Sequence, residues 1–301
     1  MKQYLVTGGA GFIGSHIVEA LLKRGDSVRV LDNFATSKRD NIPAGAELFE
    51  ASITETDAIA PAFQGVDGVF HTAALTSVEF SLKNPIATSE VNLKGMLNVI
   101  LAARHAGVAK MLFSSSAAVY GDQGEMPLRE DMTPNPGSPY ALEKYTGEGY
   151  CKIAAQAWGL QTVCLRYFNV YGPRAATKGA YVNVIPIFLR QRASGGPLTI
   201  TGDGTNTRDF VFVDDVVSAN LAAMDSKRVE KGEVINIGSG VQKSVNEIAA
   251  YFKHPTEYIS PRIEQVHALA DISRAKELFG WEPQVPFEEG LQRTMDWYKN
   301  N

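Results

Sequence analysis

Tyr4-Leu5-Val6-Thr7-Gly8-Gly9-Ala10-Gly11-Phe12-Ile13-Gly14 is the stretch that decides the fold of this chain. Four strand-forming residues run into a glycine cluster. The cluster opens onto Ile13, Ile17, Ala20 and Leu21, spaced as one face of a helix, and Gly25 supplies the stop. In the order strand, turn, helix, glycines have a mechanism: they permit a tight turn and let a pyrophosphate approach backbone N–H groups at the positive end of the helix. The next strand ends at Leu31-Asp32-Asn33, with Asp32 lying 24 positions after Gly8. A dinucleotide fold places an acid there to accept hydrogen bonds from ribose hydroxyls, and a carboxylate repels a 2′-phosphate, so NAD is expected rather than NADP.

Further along, Ser27–Leu31, Glu47–Ala51, Gly68–Ala73, Lys110–Ser115 and Thr162–Tyr167 read as strands alternating with helical stretches. That alternation implies right-handed crossovers and an α/β, doubly wound parallel sheet covered on both faces. After Tyr171-Gly172-Pro173-Arg174 the regularity fades into short elements split by Gly195-Gly196-Pro197 and Thr201-Gly202-Asp203-Gly204. We expect a dinucleotide-binding domain over 1–172 and a smaller α/β substrate domain over 173–301, with 209–224 returning to the first.

The 301 residues carry 29 basic and 33 acidic side chains, a net charge of −4, with no basic block, which argues against nucleic acid as a partner and for a small molecule. No apolar run is long enough to span a bilayer and none precedes the glycines, so a cytoplasmic chain is expected. Cys151 and Cys164 both fall within regular elements and read as buried, reduced and inert. No metal site is expected. Asp214-Asp215 opens a helix, where carboxylates favour the N-terminal dipole. His71, inside a strand, reads as a packed histidine.

Ser138-Pro139 reads as a helix start, with Ser138 as cap and Pro139 at the first position, where its missing N–H is of no consequence. Tyr140 and Lys144 then stand one turn apart on one face. A tyrosine ordinarily titrates at about 10, so one serving as base near neutrality needs nearby cations, and Lys144 and an oxidised nicotinamide are available. Ser114-Ser115-Ser116 ends a strand, and ligands of doubly wound sheets collect at the carboxyl ends of strands.

Thr7-Gly8-x-x-Gly11-x-x-Gly14, Tyr140-x-x-x-Lys144, His71-Thr72-Ala73-Ala74, Leu165-Arg166-Tyr167-Phe168-Asn169 through Arg174, and Arg208-Asp209-Phe210 together resemble the extended short-chain dehydrogenase/reductase family acting on nucleotide sugars. The resemblance implies a Rossmann domain in which Ser116 binds the substrate hydroxyl, Tyr140 is the acid/base and Lys144 holds the nicotinamide ribose. It implies NAD contacts from Gly8, Gly11, Phe12, Ile13, Gly14, Asp32, Asn33, Thr36, Ser37, Ser52, Ile53, Ala73, Ala74, Thr76, Asn92, Ser114 and Tyr167. For a UDP-sugar it implies Asn169 and Arg208 at the diphosphate, Asn183 and Val184 at the sugar, Thr199 and Thr201 at the base, Arg262 and Glu264 at the phosphate and ribose, and Ala268 beside the sugar. It also implies a homodimer pairing the helix of Tyr140–Lys144 and the region Pro85–Ala106 with their copies.

Family members that dehydrate or decarboxylate carry acids just after the serine, whereas this chain has Ala117-Ala118. Methyl groups cannot shuttle a proton. The expected reaction is therefore 4-epimerisation through a transient 4-keto sugar, with UDP-glucose and, because Ala268 is small, UDP-N-acetylglucosamine as substrates. Alternatives are a nucleotide-sugar dehydrogenase or reductase, or another epimerase, on the same scaffold, and, from a different class, a non-catalytic NAD-sensing protein. Ser52 and Thr76 depart from the aspartate and basic residue of some members, and Arg262-Ile263-Glu264 runs one residue short.

Overall fold

Side chains along a strand alternate between the two faces of a sheet, and that alternation locates the core here. The computed structural model describes residues 1–176, 183–260 and 267–300. Its strands are β1 (Gln3–Thr7), β2 (Ser27–Asp32), β3 (Glu47–Glu50), β4 (Gly68–His71), β5 (Lys110–Ser116) and β6 (Gln161–Tyr167). They continue with β7 (Asn169–Tyr171), β8 (Leu198–Thr201), β9 (Thr207–Phe212), β10 (Lys231–Ile237), β11 (Gln242–Ser244) and β12 (Thr256–Ile259). A seven-stranded sheet has the order β10-β6-β5-β4-β1-β2-β3, and every pairing in it is parallel.

In this sheet Tyr4, Val6, Leu112, Val163 and Leu165 feed one buried cluster, which also takes Ile17, Val18 and Leu21 of the first helix. Their strand neighbours Leu5, Met111, Phe113 and Cys164 feed the other, against Val99, Ile100, Cys151 and Ala154. Helices therefore cover both faces, as parallel strands buried on both sides require. Phe12–Lys23 forms the first helix, closed by Arg24 and by Gly25 at φ +87°. The strands expected over 47–51 and 68–73 end at Glu50 and His71; past His71, Thr72 N–H still bonds the Thr7 carbonyl at 3.1 Å while the Ala73 backbone turns to abut Gly8.

Beyond β6 the chain builds two small sheets, β11-β9-β7 and β12-β8. Asp209–Met224 does read strand then helix, yet its strand part joins β7 and β11, and only the helix Val213–Asp225 packs back onto the first helix and beneath β5 and β6. A segment assigned from sequence to the second domain, Lys231–Ile237, is the outermost strand of the large sheet, in register with β6 from Thr162 to Tyr167. Cys151 and Cys164 are buried free thiols. Asp215 accepts the backbone N–H groups of Gln284 and Val285 at 2.8 and 3.1 Å, and Asp214 pairs with Arg293. Among the described residues no helix is long and apolar enough to cross a membrane.

Candidate active site

The strand order turns back on itself between β1 and β4, and the crevice outside their carboxyl ends is where such sheets bind ligands. Gly8 sits at φ +70°, and a Cβ on it would lie 2.7 Å from the Ala73 nitrogen; a Cβ on Gly14 would lie 2.2 Å from the Gly8 oxygen. Only glycine lets these backbones meet. Gly11 caps the helix with no side-chain hydrogen bond, leaving the first-turn donors to a ligand rather than to the protein's own side chains. The donor set and the cradle fit a pyrophosphate.

Asp32 is 7% exposed and already organised: it accepts from Ala10 N–H at 3.0 Å, Phe34 N–H at 2.9 Å and the Ser37 hydroxyl at 2.7 Å. Phe34 takes up a left-handed conformation to make this turn, and Asn33 closes it by accepting from Ala35. Asn41, not anticipated from sequence, donates to the Ala10 carbonyl at 2.9 Å and so pins the glycine turn from outside. Ser52 bonds Thr54 at 2.8 Å, Ile53 is buried against Gly95, and Thr36 and Thr76 are exposed. Ala73 and Ala74 lie in the segment that abuts Gly8, where Ala73 N–H points at the Thr7 hydroxyl at 3.4 Å.

The three serines of β5 divide by strand parity. Ser114 shares 3.2 Å with the Tyr167 hydroxyl, which donates to Asn220 at 2.8 Å, and burial pushes that phenol up to about 12. Ser115 faces the other way and donates to Glu148 at 2.6 Å. Ser116, last in the strand, accepts the N–H of Ala118 at 3.1 Å as cap of the short 3-10 turn Ala117–Tyr120.

Facing β5 is the helix Pro139–Trp158, with Pro139 in its first turn and Ser138 accepting from Ala141 N–H at 3.2 Å. Its Tyr140 is 8% exposed, with its backbone N–H bound to the Ser81 hydroxyl at 3.2 Å. Lys144 is buried and donates to the Ser114 carbonyl at 2.7 Å, with its ammonium 4.9 Å from the Phe113 ring centre and 5.9 Å from that of Tyr140. Burial draws Lys144 down to about 8 against the raising pull of Glu143, Cys151 and Glu148. A cation beside a phenol, at the carboxyl end of a strand, is suited to acid/base work near neutrality. His71 is buried, bonded to Thr7 at 2.7 Å and stacked on Phe113; burial, then the Lys144 charge, lowers it to about 3, so it stays neutral.

Other partners were not legible in the sequence. Glu148 holds Arg166 through two bonds of 2.8 and 2.7 Å, both side chains being almost fully buried, and Arg166 stacks 4.5 Å from the Tyr120 ring centre. Asp209, which without the family resemblance reads as half of a surface pair with Arg208, is buried and accepts from Ser239, Gly240 and Ala270. Asn92 turns its amide inward to Leu75 and Glu143.

On the substrate side Asn169 donates to the Asp209 carbonyl at 3.4 Å and Asn183 to that of Val170 at 3.0 Å, while Asn183 also caps the helix opening at Val184. Thr199 is bound both ways by Gln191, and Thr201 ends β8 opposite Ile259. Arg208 extends from β9 and donates to the Thr207 carbonyl at 2.9 Å. Ala268 is buried with Val119, Tyr120, Leu128, Phe168 and Ala270. Arg262 and Glu264 lie outside the described residues.

A glycine cradle at the switch point of a parallel sheet, with a serine, a tyrosine and a lysine gathered around a neighbouring strand end, defines a dinucleotide-dependent enzyme of the short-chain dehydrogenase/reductase type. The chain belongs to the NAD dependent epimerase/dehydratase family, whose model matches residues 4–238, and NAD is its cofactor. A UDP-glucose 4-epimerase of Mycolicibacterium smegmatis is 35% identical over 98% of both chains. A UDP-N-acetyl-alpha-D-glucosaminuronate decarboxylase of Bacillus cytotoxicus is 36% identical over 99% of this chain and 98% of its own. The crystal structure of a Thermotoga maritima UDP-glucose 4-epimerase with UDP-glucose superposes with a TM-score of 0.95 at 38% identity, covering 99% of each chain.

Proposed function

We propose that this enzyme is a UDP-sugar 4-epimerase, acting on UDP-glucose and UDP-galactose and on their 2-acetamido counterparts. Relatives of nearly equal identity epimerise or decarboxylate, so overall similarity does not choose between them. The observation that carries the choice is Ala117-Ala118, in the turn directly after Ser116, beside an intact Ser116, Tyr140 and Lys144. Neither methyl side chain can donate or take a proton, and the one hydroxyl of that turn, on the fully buried Tyr120, is committed to Asn236 at 2.7 Å. The residues present support removal and return of hydrogen at one carbon, without elimination.

Bound NAD supplies the hydride acceptor and, once reduced, the donor. In our reading Gly8, Gly11, Phe12, Ile13 and Gly14 seat its pyrophosphate and Asp32, Asn33, Thr36 and Ser37 its adenosine ribose. Ser52, Ile53, Ala73, Ala74, Thr76, Asn92, Ser114 and Tyr167 surround the remainder. Tyr140 takes the 4-hydroxyl proton and returns it to that same oxygen once the sugar has turned its other face and C4 has regained its hydrogen there, Ser116 hydrogen-bonds that oxygen, and the buried Lys144 ammonium stabilises the phenolate. Arg208 and Asn169 hold the diphosphate, a planar guanidinium being suited to phosphate oxygens, so that the sugar can turn over while the nucleotide stays fixed. Asn183 and Val184 border the sugar, Thr199 and Thr201 the base. Ile86, Leu142, Tyr145 and Ile153 are exposed on the expected pairing helices and support a homodimer.

The test is incubation with UDP-glucose, UDP-N-acetylglucosamine and their uronic acids, without added NAD, followed by product identification. We expect C4 epimers only, and a kcat loss of about 10²–10⁴-fold for Tyr140→Phe. Released carbon dioxide, a 4-keto-6-deoxy product, or unimpaired Tyr140→Phe would overturn the assignment.

A further inference from the structure

Next to Lys144 stands a second buried ionisable group with no part in the scheme above. Glu143 is 2% exposed, and its carboxylate accepts from the Ser89 hydroxyl at 2.9 Å and from the Asn92 amide at 2.7 Å. Both donors are neutral. Asn92 lies in a π-helical turn, Glu90–Gly95, and its remaining groups grip one residue: it accepts the Leu75 N–H at 2.8 Å and donates to the Leu75 carbonyl at 2.9 Å. Leu75 belongs to the segment after β4 whose Ala73 abuts the Gly8 turn. A continuous line of hydrogen bonds thus runs from the helix of Tyr140 and Lys144 to the wall of the cofactor crevice. π-turns of this kind are rare and occur frequently at functional sites.

We propose that Glu143 is a positioning residue of the reaction: through Asn92 it fixes the 72–77 segment against the catalytic helix, and by its charge it keeps Lys144 an ammonium. This rests on the proposed roles of Tyr140 and Lys144. The electrostatic half follows from what surrounds Lys144. Its helix contributes Tyr140, Glu143, Glu148 and Cys151; β4 contributes the neutral His71, and β5 the Ser114 carbonyl and the Phe113 ring. Glu148 is already engaged by Arg166, whereas Glu143 has only neutral donors, so its charge acts on Lys144 with less cancellation. Removing it leaves burial to act with less opposition, and the lysine then loses its proton at lower pH.

Two variants separate the tether from the charge. Glu143→Gln keeps one acceptor for Asn92 and a partner for Ser89 but is neutral; Glu143→Ala removes both functions. Amide hydrogen exchange over 72–77 reads the tether without any turnover, and the pH profile of kcat reads the charge. For Glu143→Ala we expect exchange at least about tenfold faster over 72–77 and a kcat loss of about tenfold with KM within twofold, consistent with one lost buried hydrogen-bond link. For Glu143→Gln we expect near-native exchange and an alkaline limb displaced to lower pH by about half a unit or more. A Glu143→Ala protein with native exchange and native kcat, or one that only melts earlier, would overturn the proposal, as would a Glu143→Gln profile that overlays the native one. If the native protein turns over no UDP-sugar yet Glu143→Ala frees the 72–77 segment, the tether stands and the reaction assignment has failed; the charge is then read by titrating labelled Lys144, where an unchanged titration in Glu143→Gln refutes that half.

Discussion

Replacing Arg166 by methionine strips the guanidinium from Glu148 while leaving the carboxylate in place, almost fully buried, with Ser115 as its remaining donor. Breaking one side of such a pair costs about 3–5 kcal/mol, because a buried charge loses its compensation. The upper half of that range is expected here, since the stack on the Tyr120 ring is lost too. For a chain of this size each kcal/mol lowers Tm by about 2 °C, so Arg166→Met should melt about 8–10 °C early. The pair also carries a penalty of its own: one guanidinium nitrogen, Nη1, is buried without a hydrogen-bond partner among the described residues. Converting both residues, Glu148→Met with Arg166→Met, should therefore recover most of the loss. Differential scanning calorimetry with urea titration decides the matter. An Arg166→Met protein melting within 2 °C of native (about 1 kcal/mol), or a double variant no more stable than the single one, would refute the reasoning.

Stability should fall on acidification before the carboxylates titrate. Burial, and next the Arg174 charge, lowers His16 to about 4, and burial with Lys144 lowers His71 to about 3, so both are neutral when folded and take up protons near 6.5 when unfolded. Their contribution is complete above 6.5 and is lost as pH drops towards 4, with a limiting slope of about 2.7 kcal/mol per pH unit for two protons. Urea melts between pH 7 and 4.5 measure it; His71→Asn should reduce the slope by about 1.4 kcal/mol per unit, and an unchanged slope would show that His71 is charged in the fold. Ala268→Tyr should cost about 1–3 kcal/mol by overfilling its buried cluster and should suppress turnover of UDP-N-acetylglucosamine more than of UDP-glucose. Equal losses on the two sugars would remove Ala268 from the specificity argument.

What could be read in the sequence was what neighbours along the chain determine. The glycine turn, the helix behind it, the cap at Ser138 and the strand that closes on Ser114-Ser115-Ser116 are all local patterns, and their physical causes lie within a few residues. The placement of β10 was not local: its pairing with β6 joins residues about seventy apart, and nothing in the pattern of Val234, Ile235 and Ile237 says which sheet receives them. The same limit hid the charged residues that brace the site. Glu148 with Arg166, Asp209 with Ser239 and Glu143 with Asn92 each look, one at a time, like an ordinary surface charge or loop residue, and burial makes them otherwise. A hint existed in Glu148, which falls one turn beyond Lys144 on the helical face already assigned to Tyr140 and Lys144.

The way β5 hands over to the turn that follows has a bearing on how this scaffold could be re-engineered. Inserting or deleting a residue in β5 ahead of Ser114 would flip all three hydroxyls, taking the Ser115 donor away from Glu148 and the Ser114 hydroxyl away from the phenol of Tyr167. Ala117 and Ala118 stand just outside that ladder, so their side chains can be rewritten without disturbing a single rung. New reactivity is most accessible at this hinge between an immutable register and a free alphabet.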